Sequence, residues 1–151
     1  MDVTVVPLRA QLPAGLPDLI AESEAEGHHF LRRLAEEWAS GANRFDRPGE
    51  ALFAAVVAGR AVGVCGLNAD PYLPAPGVGR VRHLYVAPAH RRRGVGRRLL
   101  AAVVAAAGGA FHTLRLRTES EEAAEFYEGA GFCRRTEEPA CTHVMSMMDA
   151  S

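Results

Sequence analysis

Residues 81–117 restrict the fold more than any other part of the chain. Val81 to Val86 reads as a strand that Pro88 ends, Val95 to Ala107 as a helix, and Phe111 to Arg117 as a second strand with Phe, Leu and Leu among His, Thr and Arg. A strand–helix–strand unit of this length closes as a parallel pair with a right-handed crossover. The segments before it behave differently. Ala51 to Val57 and Ala61 to Leu67, joined by Ala58-Gly59-Arg60, are close enough to form only an antiparallel hairpin. The sheet is therefore mixed.

The remaining elements fall around these two units. Val3 to Leu8 reads as a first strand, with Pro7 marking it as an edge or its end. Leu16 to Ser40 is helical with a break at Gly27, and Phe30, Leu31, Leu34 and Trp38 recur at helical spacing among Arg32, Arg33, Glu36 and Glu37. Asn68 to Gly79 carries three prolines and two glycines and reads as a loop. Thr118-Glu119-Ser120-Glu121 fits a capping box for a helix through Glu128, closed by Gly129 and Gly131. Two short strands follow near Phe132–Thr136 and Cys141–Met147. The order is β-α-α-β-β-β-α-β-α-β-β, of the α/β (α+β) class, and 151 residues suit a single domain spanning 1–151.

Composition narrows the function. No apolar run reaches the roughly 18 residues of a membrane helix, because Leu99 to Ala107 stops at Gly108-Gly109. Met1 to Ala10 lacks a basic start and an apolar core, so no signal peptide is expected and the location reads as cytoplasmic. Cys65, Cys133 and Cys141 are odd in number and lack CxxC spacing, which favours reduced thiols over a Cys133–Cys141 bridge. All 17 basic residues are arginine, which excludes a Schiff-base lysine or a P-loop lysine. The net charge of −1 gives no general pull toward nucleic acid or membrane, and neither is expected as a partner. Seven arginines nevertheless crowd residues 80–98 with no acid among them.

Those arginines fall in VRHLYVAPAHRRRGVGRRLL, residues 81–100, and just before it at Arg80. A strand runs into a turn of Arg91, Arg92, Arg93, Gly94, Val95 and Gly96 that opens a helix, where unpaired N–H groups meet the positive end of the helix dipole. This is an anion site suited to a pyrophosphate. A dinucleotide fingerprint is not satisfied, since Gly94-Val95-Gly96 is followed by Arg97, Arg98 and Leu99 with no third glycine. His28 and His29 diverge by about 100° on a helix, and no second ligand pair has metal-site spacing, so no metal is expected.

Leu84-Tyr85-Val86-Ala87-Pro88 followed by Arg91-x-x-Gly94-x-Gly96 resembles the acetyl-CoA motif of the GNAT N-acetyltransferase superfamily. Ala123-x-x-Phe126-Tyr127-x-x-x-Gly131-Phe132 is similar to that family's second signature, in the expected order and after a strand. The resemblance implies a mostly antiparallel sheet of six to seven strands with a central parallel pair, flanked by about four helices. It implies transfer of an acetyl group from acetyl-CoA, as co-substrate, to a primary amine of a small molecule or peptide. By this match the N–H groups of residues 91–96 hold the pyrophosphate, and Leu84, Tyr85 and Val86 pair with the pantetheine arm. One of their N–H groups polarises the acetyl carbonyl, Tyr127 protonates the departing sulfur, and Ser120 contacts the pantetheine.

The acceptor side is less patterned. Arg80, Arg82, Phe30, Trp38 and Glu119 are the substrate-side candidates, with Arg80 and Arg82 suited to an acidic group. Many relatives carry a glutamate on the strand face that bears positions 82 and 84. Period-two counting places Arg80 and Arg82 on that face and His83 on the opposite one, with no acid between Gly77 and Val86. The missing glutamate leaves room for an alternative, a catalytically silent acyl-CoA-binding module. A homodimer is left open.

Overall fold

The structure, a computed structural model, describes residues 2–73 and 75–147. Its elements are β1 (Thr4–Pro7), α1 (Leu16–Ala25), α2 (Phe30–Ser40), β2 (Ala51–Val57), β3 (Arg60–Ala69), β4 (Val78–Val86), α3 (Val95–Ala107), β5 (Thr113–Leu116), α4 (Glu121–Gly129), β6 (Cys133–Arg134) and β7 (His143–Ser146). A single 3-10 turn, Pro88–His90, follows β4. The seven strands form one sheet ordered β1-β2-β3-β4-β5-β7-β6. Only β4 and β5 run parallel; every other pair is antiparallel. The mixed sheet and the crossover through α3 agree with the pattern of residues 51–117.

Each face of the sheet carries its own core. On one face the stripe Val95, Leu99, Leu100, Val103 and Ala107 of α3 packs with Phe111, Leu114, Leu116 and Phe132, and Phe126 and Tyr127 of α4 join it. Leu99 and Val103 are fully buried, and a leucine so placed contributes roughly 1.5–3 kcal/mol. On the other face Leu16 and Leu19 of α1 and Leu31 and Leu34 of α2 cover Leu52, Ala54 and Val64. Arg32, Arg33 and Glu36 point outward from the same helix, so α2 is amphipathic as its spacing predicts.

Several boundaries differ from the sequence pattern for identifiable reasons. Asn68 and Ala69 extend β3 while Val78 and Gly79 begin β4, because Asn68 pairs with Arg80 and Ala69 with Gly79. The loop thus shrinks to residues 70–77, and Asp70 is buried within it. Ser120, rather than Thr118, caps α4: its Oγ accepts from the Ala123 N–H at 3.2 Å. Thr118 Oγ1 instead accepts from the Ser120 N–H, a local turn before the helix. Cys133 lies opposite Val144, not Cys141, and all three cysteines are free thiols.

Candidate active site

The parallel pair is short. Val78, Gly79 and Arg80 pair with Thr113, Leu114 and Arg115, and no further pairing of β4 with β5 occurs among the described residues. β5 stays with β7 as far as Leu116 opposite His143, while β4 stays with β3 as far as Val86 opposite Gly63. The two strands therefore part beyond Arg80. The edge of β4 from Val81 to Val86 offers backbone N–H and C=O groups to the gap, as a strand awaiting a partner does.

A β-bulge sits in this free stretch. Gly66 pairs with Arg82 and Val64 with Tyr85, so Cys65 alone faces both His83 and Leu84. His83 takes φ +62 to accommodate the extra residue. The bulge overturns the period-two reading of this strand. Val81, Leu84 and Val86 pack toward α3, whereas Tyr85 packs with α1 and α2. His83 meets Phe30 at 6.3 Å and Phe45 at 6.0 Å between ring centroids. Arg82 lines a cleft with Glu37 and Asn43 at the end of α2. Arg82 and His83 thus share the α2 face, and Leu84 lies on the other. Nothing in the residue types at 81–86 announces the extra residue.

His83 is buried, and neither ring nitrogen makes a well-formed hydrogen bond among the described residues; the backbone of Phe30 alone comes near enough to favour the charged ring, and only weakly. Burial first, then the charges of Arg82 and Arg33, push its pKa from 6.5 down to about 3. Burial thus favours the neutral imidazole.

The turn beyond β4 leads to the head of α3. Ala87 N–H donates to Val62 O, then Arg92 (φ +64) and Gly94 (φ +76) both adopt left-handed backbone. Gly94 caps α3 without any side-chain hydrogen bond, and a side chain there would strain the left-handed geometry. Arg98 N–H to Gly94 O, 3.0 Å, is the first helical bond, which leaves the N–H groups of Val95, Gly96 and Arg97 without helical acceptors. No acid lies in the first turn. Arg92, Arg93 and Arg97 are exposed and form no ion pair among the described residues. This arrangement suits a polyanion.

Arg91 behaves differently from its neighbours. Its guanidinium donates to both carboxylate oxygens of Glu26, at 2.8 and 2.6 Å, and its Nε to Val86 O at 2.9 Å. The Tyr85 hydroxyl donates to Glu26 Oε1 at 2.5 Å. Arg91 above all, and Tyr85, hold the Glu26 carboxyl down from 4.5 to about 2. This cluster fastens the end of α1 to β4 and its turn. Glu26 has no motif around it, so its part in this cluster is invisible in the sequence.

On the α3 face, the Tyr127 ring lies between Phe126 (5.3 Å) and Phe132 (5.8 Å). Burial raises its phenol above the usual range, with the Cys65 thiol as a smaller cause. Cys65 is itself pushed up to about 12 by burial. Tyr127 therefore keeps its proton, and the same burial makes it a weaker acid than a free phenol. Ser120 uses a lone pair for the α4 cap, which leaves its O–H to donate.

The other substrate-side candidates have existing commitments. Arg80 is buried against Asp70 at 3.5 Å and stacks over Tyr72 at 4.6 Å. Arg115 reaches the same Asp70 oxygen at 3.4 Å and donates to Pro139 O. Glu119 is exposed and paired with Arg117 at 2.7 Å. Trp38 packs on the α1–α2 core. Phe30 packs between His28, His83 and Tyr85. Among the described residues, no helix is long and apolar enough to cross a membrane, and no three His, Cys, Asp or Glu side chains gather as a metal centre requires.

A free strand edge beside a helix start with unpaired N–H groups, in a seven-stranded mixed sheet, is the architecture of a known class. Residues 48–134, more than half of the chain, match the family model described as "Acetyltransferase (GNAT) domain". The chain belongs to the GNAT acetyltransferase family. A solved candidate acetyltransferase from Exiguobacterium sp. 255-15 is 28% identical with a TM-score of 0.86, covering 98% of this chain and 95% of that one. An acetyltransferase from Streptococcus agalactiae 2603 shares the fold at 16% identity and a TM-score of 0.73, covering 95% and 98%. A GNAT family acetyltransferase from Elizabethkingia anophelis, solved with acetyl-CoA bound, does so at 17% and 0.63, covering 95% and 97%. No curated protein matches the chain.

Proposed function

We propose that the chain transfers an acetyl group from acetyl-CoA to a primary amine of a small molecule or peptide, by direct attack on the thioester. The observation that carries the reading is the parting of β4 from β5 beyond Arg80, beside the unpaired N–H groups at the head of α3. Acetyl-CoA supplies an activated acyl group as its thioester. The backbone of residues 91–96, with Arg92 and Arg93, holds the pyrophosphate; Arg91 shapes the turn through Glu26 rather than reaching outward. Leu84, Tyr85 and Val86 pair with the pantetheine as an added strand would, and one N–H of that edge stabilises charge on the acyl oxygen. Ser120 donates to the pantetheine, and Tyr127 donates its proton toward the sulfur.

The acceptor arrives from the α1–α2 face, past Arg82 and Phe30. Neither Glu26, held at about 2, nor His83, at about 3, is poised to accept a proton from an ammonium near neutral pH. The ammonium proton is therefore lost to solvent or to another group, and kcat/KM rises with pH as the free amine is populated.

Thermal unfolding with acetyl-CoA, CoA and NAD, together with thiol release over a panel of amines, tests the reading. A ligand at about a hundred times its Kd adds roughly 2.7 kcal/mol, or about 5–10 °C for a chain of this size. A rise with both CoA forms but not NAD, and thiol release with at least one amine, is expected. A rise without release from any amine would reduce the chain to a silent acyl-CoA-binding module. No rise would remove the donor site altogether.

A further inference from the structure

Glu26 stands at the C-terminus of α1, where its own N–H donates to Glu22 O and Ser23 O and Gly27 (φ +89) turns the chain away. Its backbone is therefore fixed, and its carboxylate reaches across to the far end of β4. Three donor groups meet it there: both terminal nitrogens of Arg91, at 2.8 and 2.6 Å, and the Tyr85 hydroxyl at 2.5 Å. The Arg91 guanidinium also lies over the Tyr85 ring, 5.4 Å from its centroid. Half-exposed ion pairs are ordinarily weak. A two-pronged guanidinium–carboxylate pair locked by a third bond is the geometry that counts.

The same guanidinium grips β4 by its backbone. Ala87 N–H donates to Val62 O, and Gly63 pairs with Val86. Hydrogen-bonding direction alternates along an antiparallel ladder, so the N–H and C=O of Val86 point away from β3, on the side of the gap. The Val86 C=O is the group that takes Arg91 Nε, at 2.9 Å. Three of the five N–H donors of Arg91 are thus committed to Glu26 and the strand. Val86 ends the free edge and Arg91 begins the turn that leads to α3. One carboxylate sets their separation.

We infer that Glu26 is a positioning residue of the donor site: through Arg91 and Tyr85 it fixes the spacing between the β4 edge and the turn before α3, and Arg91 stays on Glu26 when CoA is bound. This rests on the donor half of the acetyl-transfer reading and adds a residue from outside its motif. A ligand that spans the edge and the turn binds best when their spacing is preset, because it then orders neither. Charge alone predicts the opposite sign. Glu26 is an anion bonded to the first arginine of an anion site, so its charge by itself opposes CoA and its removal would tighten binding.

Titration calorimetry with CoA tests this on the wild type, Glu26→Gln, Arg91→Gln and the double variant. Glu26→Gln is expected to bind CoA about tenfold more weakly, the scale of a lost charge-assisted hydrogen bond, although it has shed a negative charge. Arg91→Gln loses as much, and the double variant no more than the weaker single one. Asp18→Asn, which removes a carboxylate of α1 bonded to Arg60 instead, leaves the affinity unchanged. Carboxyl-carbon NMR of the wild type supplies a measurement that needs no variant to fold. At about pH 4 the Glu26 carboxyl, held down to about 2, gives its ionised signal with and without CoA.

Unchanged or tighter binding by Glu26→Gln overturns the inference. So does a double variant that binds like the wild type, since the two share the same net charge and the pair would then matter only through it. Partial protonation of Glu26 on adding CoA shows that Arg91 has left for the phosphates, which overturns it as well. A wild type that does not bind CoA removes the donor reading and this inference with it. Calorimetry reads binding without turnover, so the expected pattern would appear equally in a silent acyl-CoA-binding module.

Discussion

Replacing His83 with asparagine isolates the energetic consequence of burying an imidazole in the bulge of β4. Asparagine tolerates the positive φ that His83 adopts and does not titrate. An unfolded histidine gains its proton as the pH falls through 6.5, but the folded His83 does so only near 3. Between those values the unfolded chain binds the extra proton, so stability is greatest above 6.5 and falls as the pH is lowered. At 1.36 kcal/mol per pH unit, moving from about pH 8 to about pH 5 removes roughly 2 kcal/mol on account of this one group.

The acidic residues do not blur the comparison, because all 18 are common to both proteins and drop out of the difference. The other histidines are common to both proteins. Urea unfolding followed through the single tryptophan, Trp38, measures the effect. With a slope of about 2 kcal/mol per molar, the wild-type midpoint falls by about 1 M more than that of His83→Asn between the two pH values. Lost packing against Phe30 and Phe45 lowers the variant's midpoint equally at every pH and drops out of the difference. Parallel pH curves for the two proteins would show that His83 protonates freely in the fold and that burial does not hold it neutral.

Asp70→Asn leaves Arg80 and Arg115 buried without their shared counter-ion, so a loss of about 3–5 kcal/mol is expected; thermal unfolding checks it, and a change below about 1 kcal/mol counts against the buried network. Gly66→Ala would place its Cβ 2.7 Å from Phe45 Cε1, and a loss of about 1–3 kcal/mol is expected as Phe45 shifts off His83, read as a lowered melting temperature. Tyr127→Phe is expected to lower kcat by about a hundredfold or more, as for a lost general acid, with CoA affinity nearly unchanged. Full activity across pH would return Tyr127 to packing alone.

Much of the fold is legible in the sequence because its signals are local. The helix break at Gly27, the hairpin around Ala58-Gly59 and the crossover through Val95–Ala107 each rest on periodicity or turn chemistry within a dozen residues. The bulge at His83 is different. It is imposed by pairing with β3, residues away in sequence, and one extra residue reverses the face assignment of everything before it in β4. The turn and helix start at Gly94–Val95, proposed to hold the donor, are readable from glycines and arginines, since a helix start and its dipole need no distant partner. The acceptor side is not, because Glu37, Asn43 and Asn68 meet Arg82 only through the tertiary fold. Asp70 does carry a signal of its own, as the sole acid between Glu50 and Glu119 in a stretch with ten arginines. So isolated an acid calls for a specific ionic task.

The arginines around the head of α3 have a chemical consequence apart from their charge. An acyl-CoA bound there would carry an electrophile onto the protein past the chain's densest concentration of basic side chains. Guanidinium stays protonated and non-nucleophilic at any working pH, whereas a lysine in the same places would keep a fraction of free amine. With no lysine in its 151 residues, the chain has no side-chain amine through which to label itself, and none at the head of α3 whose charge a bound thioester could erase.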